Sequence, residues 1–354
     1  MRLKTGLFSI PLLLLLCAVG PRPTLAQDPH FSQYYAAPWT LNPALTGVFN
    51  GRWRANINYR DQWSSILSPA PFRTFSASAD GRFNVGRDDY ASIGLGALHD
   101  EAGTARFQQN KAWIGGAFLK RLSGGRYKAS HYLSAGAQLG AGQNSIDWGR
   151  LWFSRQFDTA AERPDFNADP GESNLGANTR IHADFNAGLL WYVILPNDGY
   201  FYAGGALHHI NKPIISLADD ATQRLYQKWS GMAGGFLPVT DNFGLMPAAL
   251  WMSQGPAMQI NAGMNVRYSN NDHNELGFRA GVWARAANKL DRGMLIDALI
   301  FTIMFEFNRF TLGLSYDVTV SPLTRVNNSR GAFEVSLSYF APEYRRVRTV
   351  CPTL

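Results

Sequence analysis

Hydrophobic and polar residues alternate with a period of two along most of the chain. In the clearest stretch Ile181, Ala183, Phe185, Ala187, Leu189, Trp191 and Val193 interleave with Arg180, His182, Asp184, Asn186, Gly188, Leu190 and Tyr192. Successive side chains of a strand point to opposite faces, so this spacing predicts one apolar and one largely polar face. The pattern recurs where Ile260, Ala262, Met264 and Val266 oppose Asn261, Gly263, Asn265 and Arg267. It recurs again where Leu312, Leu314, Tyr316, Val318 and Val320 oppose Thr311, Gly313, Ser315, Asp317 and Thr319. Turn signals predict about fourteen such strands, starting near Trp53, Thr74, Tyr90, Ala105, His131, Arg180, Tyr200, Leu225, Phe243, Met258, Glu275, Leu295, Phe310 and Gly331. Connections at 196–199, 240–242 and 308–309 are tight, whereas 64–73, 145–179 and 211–224 are long.

A soluble sandwich alternates too, so the content of the polar face decides between the two. Small and polar residues fill it, among them Gly136, Gln138, Gly140, Gly142 and Asn144, or Arg54, Asn56, Asn58 and Arg60, and they suit a wide hydrated interior. Trp53, Tyr59, Trp191, Tyr268, Tyr316 and Tyr339 stand near strand ends, as interfacial aromatic girdles require. No stretch after the leader reaches the roughly 18 apolar residues of a spanning helix; the run Ala298–Phe305 is strand-sized, and 242–266 is broken by Pro247, Gln254, Pro256, Gln259 and Asn261. The expected fold is therefore all-β, a transmembrane outer-membrane β-barrel of antiparallel strands. Phe333, Val335, Leu337, Tyr339 and Phe340 give the last strand the form of a closing strand, and closure removes backbone edges that hydrocarbon would leave unsatisfied. A mean hydropathy of −0.17 excludes a polytopic helical membrane protein, and 46% hydrophobic with 13% aromatic residues excludes a disordered chain.

The expected domains are a signal peptide at 1–26, an N-terminal plug or periplasmic segment at 27–52, the barrel at 53–340 and a basic periplasmic tail at 341–354. Arg2 and Lys4 precede the apolar run Leu12–Val19, and Thr24-Leu25-Ala26 offers a cleavage site before Gln27. Leu16 before Cys17 speaks against a lipoprotein signal. Removing three basic residues lowers the formal charge from +7 to +4, which gives nucleic-acid binding no support. Cys351 then remains alone, free to pair with another chain or to stay a tail thiol. Pro29, Pro38 and Pro43 bar the segment 27–52 from serving as a central strand. Asn42 as cap and Pro43 at the first helical position can start a helix. Phe31, Tyr34, Tyr35 and Trp39 call for burial, which favours a plug over an unstructured leader.

Catalytic chemistry has no candidate, and neither cofactor binding nor metal ligation has a positive signal. His208 and His209 are adjacent, so on a strand their rings point to opposite faces. His99-Asp100-Glu101 reads as a solvated hairpin, and Gly94-Leu95-Gly96 lacks the third glycine of a dinucleotide motif. Arg54, Arg60, Arg180, Asp184, Arg267, Arg279, Glu306, Asp317 and Glu334 share the polar face, where mixed signs fit a salt-bridged interior better than a selectivity lining.

Two stretches carry a resemblance. The first is Asp28, Pro29, Phe31, Ser32, Gln33 and Tyr34 with Asn42, Pro43, Ala44 and Gly47; the second is Asn58, Tyr59, Arg60, Asp61, Gln62 and Trp63. With the Cys351-Pro352 pair, the chain closely resembles the PorP/SprF family of type IX secretion-system membrane proteins. The resemblance implies a non-enzymatic outer-membrane protein of a Bacteroidetes-type Gram-negative cell, supporting secretion or surface anchoring of adhesin-like cargo and in some cells gliding motility. The implied partners are outer-membrane lipids, type IX secretion components and the secreted adhesin. The long loop offers Trp148, Trp152, Phe153, Arg155, Phe157 and Phe166 as anchors for an exported sorting domain or a partner lipoprotein. The tail offers Arg345, Arg346, Arg348 and Cys351 to periplasmic ring proteins. The alternative is a solute-uptake barrel, since an Asn-Pro-Ala plug beside fourteen strands also resembles fatty-acid-type transporters.

Overall fold

The alternating segments pair in sequence order and close on themselves. The computed structural model describes residues 27–342 except 87, 126–127, 172–175, 177, 218–222, 271–275 and 290–292. The leader and the tail with Arg345, Arg346, Arg348 and Cys351 lie outside the described residues. The barrel strands are β1 (Trp53–Gln62), β2 (Phe72–Asn84), β3 (Tyr90–Ala102), β4 (Phe107–Gly125), β5 (Lys128–Ser145), β6 (His182–Ile194) and β7 (Tyr200–His208). They continue as β8 (Lys228–Pro238), β9 (Phe243–Gln254), β10 (Ala257–Asn270), β11 (Leu276–Asn288), β12 (Met294–Phe307), β13 (Phe310–Thr319) and β14 (Arg330–Ala341). All neighbours are antiparallel, and β1 seals against β14 from Trp53↔Ala341 to Gln62↔Ala332. Closure gives every strand two partners and leaves no edge in the hydrocarbon. No helix among the described residues is long and apolar enough to cross a membrane.

The connections separate by end. The strands alternate in direction, so β1, β3, β5, β7, β9, β11 and β13 end at one rim, where the described connections include 63–71, 146–171, 209–217 and 320–329, and β2, β4, β6, β8, β10 and β12 end at the other, where they include 195–199, 239–242 and 308–309. Short periplasmic turns and longer external loops are the rule for such barrels. Trp53, Tyr339 and Phe310 cluster at the short-turn end with ring centroids 4.9 Å apart in each successive pair, as do Phe243 and Tyr268.

Two expectations change. His99, Asp100 and Glu101 lie within β3 rather than in a turn, because pairing continues past them through His99↔Asn110 and Glu101↔Gln108. Pro247 lies inside β9, where the β8 ladder passes from Gly234↔Ala248 to Leu237↔Leu245, so its missing N–H falls in a gap of that ladder. Outward side chains such as Ile93, Leu95, Leu189 and Val282 are exposed. The buried core is on the inside, where Tyr34, Leu41, Ala44, Leu45 and Val48 pack against Tyr132, Leu190, Tyr192, Leu250, Trp283 and Ile300 of the wall.

Candidate functional site

Residues 28–49 run along the inside of the wall from the long-loop end to the short-turn end. The backbone N–H of Asp28 donates to Gln254 at the end of β9 (2.8 Å), whereas Phe49 packs on Phe340 and the Arg52 N–H reaches the Ala341 carbonyl at the opposite rim. The polar residues of the segment find partners on the inward face of the strands at two ionic clusters.

The first cluster holds Asp28. Its carboxylate accepts from Lys111 Nζ (2.5 Å) and His209 Nε2 (2.6 Å), with Lys228 Nζ at 3.3 Å. His209 Nδ1 in turn donates to Asp184 at 2.8 Å. Burial alone would raise the Asp28 carboxyl, but the charges of His209, Lys111 and Lys228 outweigh it and hold the group well below the usual carboxylate range. Burial pulls the His209 imidazole down, and Asp28 together with hydrogen bonds to Asp184 and Asp28 more than reverses this, leaving it raised. The expectation that His208 and His209 point to opposite faces fails. His209 follows the strand end with φ +56°, so both rings turn inward, 6.4 Å apart. His208 Nε2 meets the Leu41 carbonyl at 3.1 Å, and no group of metal-ligating side chains occurs among the described residues.

The second cluster holds Ser32 and Gln33. The Glu334 carboxylate accepts both their backbone N–H groups, at 2.6 and 2.8 Å. Arg60 pairs with Glu334 and, at 3.1 Å, with Asp317, and Arg285 pairs with Asp317 at 2.8 Å. Ser32 Oγ donates to Asp317 and accepts from Arg60, each at 2.8 Å. Asp317 and Glu334 are essentially without solvent contact, which such charges tolerate only when paired with opposite charges, as both are here. The expected mixing of charge on the inner face therefore takes the form of ion pairs, including Arg54–Asp80 at 2.9 Å and Arg279–Glu306, whereas Arg180, expected on that face, lies exposed in the chain before β6.

Farther along, Asn42 caps the turn Pro43–Leu45 by accepting the Ala44 N–H at 2.8 Å, and donates to the carbonyls of Leu189 and Gly205. The turn is a single 3₁₀ turn, not a longer helix. The inward glycines do not face wide water here. A Cβ at Gly136 would run into the Pro43 carbonyl, and one at Gly188 into the Asn42 side chain. Asp80 then takes the Gly47 N–H at 2.7 Å, and Gly47 has φ +77°, a conformation that favours glycine.

The two sequence stretches are thus parts of one contact. Along β1, Asn58 and Arg60 point inward, where Asn58 donates to the Ala36 carbonyl at 2.9 Å and Arg60 to Ser32. Tyr59 faces outward, Gln62 accepts from Arg60 at 3.1 Å, and Asp61 meets Arg73 at 3.4 Å. Trp63 turns the chain with φ +61° and packs on Phe72. Pro29 and Phe31 stay with the segment, and Phe31 packs beside Ala37 and Leu98. Residues 24–339 match the family described as Type IX secretion system membrane protein PorP/SprF. The chain belongs to that family. It is accordingly an outer-membrane barrel protein of type IX secretion. No curated protein is similar to it.

Among solved structures, this PorP/SprF chain is similar to a deletion mutant of the TodX monoaromatic hydrocarbon channel, with 13% identity, TM-score 0.47, and 84% of this chain and 92% of that one covered. The CymD monoaromatic hydrocarbon channel gives 14%, 0.44, 88% and 94%. An outer-membrane channel from Pseudomonas putida F1 gives 12%, 0.38, 89% and 98%.

The long loop folds around two 3₁₀ turns, Trp148–Arg150 and Ser154–Gln156, and a two-residue hairpin pairing Phe157–Asp158 with Arg163–Pro164. Trp152, Phe157 and Phe166 are 50%, 40% and 60% exposed. Trp148 is tied to the Gly176 carbonyl at 3.0 Å and faces Phe153, and Arg155 covers Gly171. The loop aromatics therefore divide into a tied pair and an exposed set. Sequence reasoning missed His209, Lys111, Lys228, Arg285 and Gln254 as partners of the segment. The available signal was an inward-facing charge of opposite sign to Asp28 at strand ends of the long-loop side, as at Lys111 and Lys228.

Proposed function

We propose that this PorP/SprF protein does no covalent chemistry and works as a closed barrel that supports secretion or surface retention of an adhesin-like cargo. In this reading residues 27–52 are a resident plug, and the working surfaces lie outside the lumen. The observation that supports it most is the bonding of the segment to the wall at Asp28, Ser32, Gln33, Asn42 and Gly47, which ties it down along its length. The exposed Trp152, Phe157 and Phe166 then form the docking face for the cargo's sorting domain or a partner lipoprotein, since aromatic anchors carry much of the energy of an interface. The basic tail reaches periplasmic components of the machine, and gliding follows where the displayed adhesin is a motility adhesin.

Deleting 148–171 tests the docking role. The barrel should still assemble, judged by heat-modifiable migration, while surface display of the adhesin is lost; normal display would contradict the assignment. Truncation after Pro342 should in turn reduce co-purification of periplasmic partners. A second reading, solute uptake, is favoured by a cavity of about 460 Å³ at the short-turn mouth, bordered by Arg267, Arg279 and Glu306. Conductance across planar bilayers separates the two, because the plugged barrel should stay closed and an uptake barrel should conduct.

A further inference from the structure

On the long-loop side the wall is not zipped between the chain entering β6 and the loop after β7. Asn211 grips β6 by donating to the Ala183 carbonyl (2.7 Å) and accepting the Phe185 N–H (3.2 Å), and the Gly176 N–H reaches the Leu217 carbonyl (2.8 Å). Between these ties lies a cleft of about 490 Å³. Arg180, Lys212 and Arg224 border it. Unlike the luminal arginines, none of the three is within ion-pair distance of a carboxylate among the described residues, and the one contact among them is Arg224 donating to the Lys212 carbonyl at 3.4 Å. Exposed Ile181 and Ile214 border the same cleft.

The height of the cleft follows from strand geometry. Outward side chains of β6 run Trp191, Leu189 and Phe185, and Ile181, one residue before the strand and 73% exposed, extends the row upward. Ten residues at about 3.3 Å each, tilted by about 40°, rise roughly 25 Å, the height of the apolar band of an outer-membrane barrel. With Trp191 at the lower interface, Ile181 meets the upper edge of the hydrocarbon and the three cations stand at headgroup level.

We propose that this cleft binds the phosphorylated sugar headgroup of an outer-leaflet glycolipid, with Arg180, Lys212 and Arg224 donating to phosphoryl oxygens and an acyl chain lying along Ile181 and Ile214. Guanidinium and ammonium groups both suit phosphate, and among the described residues no carboxylate competes for these three. The apolar edge is what distinguishes a lipid from a free anion. The site is separate from the neighbouring loop's docking role and stands whether or not that role holds.

The test uses the full-length barrel in non-ionic detergent and diphosphoryl lipid A as probe, with bound lipid counted by native mass spectrometry. Arg180→Gln/Lys212→Gln should weaken binding about tenfold or more, the loss expected from two charge-assisted hydrogen bonds. Arg163→Gln/Arg325→Gln, an equal charge loss on exposed loop positions of the same end, should bind like the wild type. On wild-type protein, a dephosphorylated probe should bind at least about tenfold more weakly, and millimolar inorganic phosphate should not displace the lipid. Undiminished binding by the first variant, equal binding of the dephosphorylated probe, or displacement by inorganic phosphate would each overturn the proposal. The last two arms need no variant, so they decide even if Arg180→Gln/Lys212→Gln fails to fold.

Discussion

At the long-loop end Asp28 is held by one imidazole and two ammonium groups, whereas four residues on, Ser32 and Gln33 are held by carboxylates that two guanidinium groups pin to the wall. In the first cluster the segment supplies the charge and the wall answers it. In the second the wall supplies all the charge, and the segment offers only neutral N–H and O–H donors. Guanidinium groups stay protonated at any pH a folded protein meets, so the deeper grip is indifferent to pH across the physiological range. The outer grip contains a histidine and is not. The same segment therefore has a fixed anchor and a titratable end.

The comparison breaks hardest at Glu334. Glu334→Ala removes the acceptor of two backbone N–H groups and a partner of buried Arg60. It should cost about 3–5 kcal/mol, read as a lower urea midpoint of the detergent-solubilised barrel. Asp28→Asn keeps the shape but removes the charge that Lys111, Lys228 and His209 share. A cost of about 2 kcal/mol is expected, with loss of amide protection at Asp28 and retained protection at Ser32 and Gln33. Equal loss at both places would show that the clusters act as one unit.

Titration sharpens the contrast with a smaller effect. The raised His209 contributes stability that is fully present below its unfolded value near 6.5 and is lost as pH rises through its folded value. The depressed Asp28 contributes stability present above about 3.8 and lost as pH falls through its lower folded value. The outer grip should therefore be firmest from mildly acidic to near-neutral pH and loosen on the alkaline side. Exchange of the Asp28 amide, corrected for intrinsic rate, should accelerate between pH 6 and 9, while Ser32 and Gln33 keep theirs. The smallest effect belongs to the outward face, where Tyr59→Phe loses only an exposed contact to Asp61 and should stay within about 0.5 kcal/mol.

What the sequence makes legible is what its physics keeps local. Strand number, closure and the outward apolar rows follow from a period of two, which each strand displays by itself. The Asn42 cap is legible for the same reason, because its acceptor and donor are two residues apart. His209, one of the partners of Asp28, is 181 residues away, and its inward turn depends on a positive φ that parity along a strand cannot show. The glycines of the inner face read as the lining of an open, wet interior because smallness has two explanations, water or a close neighbour. Only the position of Pro43 against Gly136 and Asn42 against Gly188 distinguishes them.

The central claim, that the N-terminal segment is bonded to the inner wall at two chemically distinct grips, meets its most direct test in hydrogen exchange on the full-length barrel in lipid nanodiscs. The amides of Ser32, Gln33, Ala44 and Gly47, each donating to a buried side-chain oxygen, should remain protected for hours at pH 7. Complete exchange of all four within seconds, with the strand amides of β1 and β14 still protected, would contradict the account.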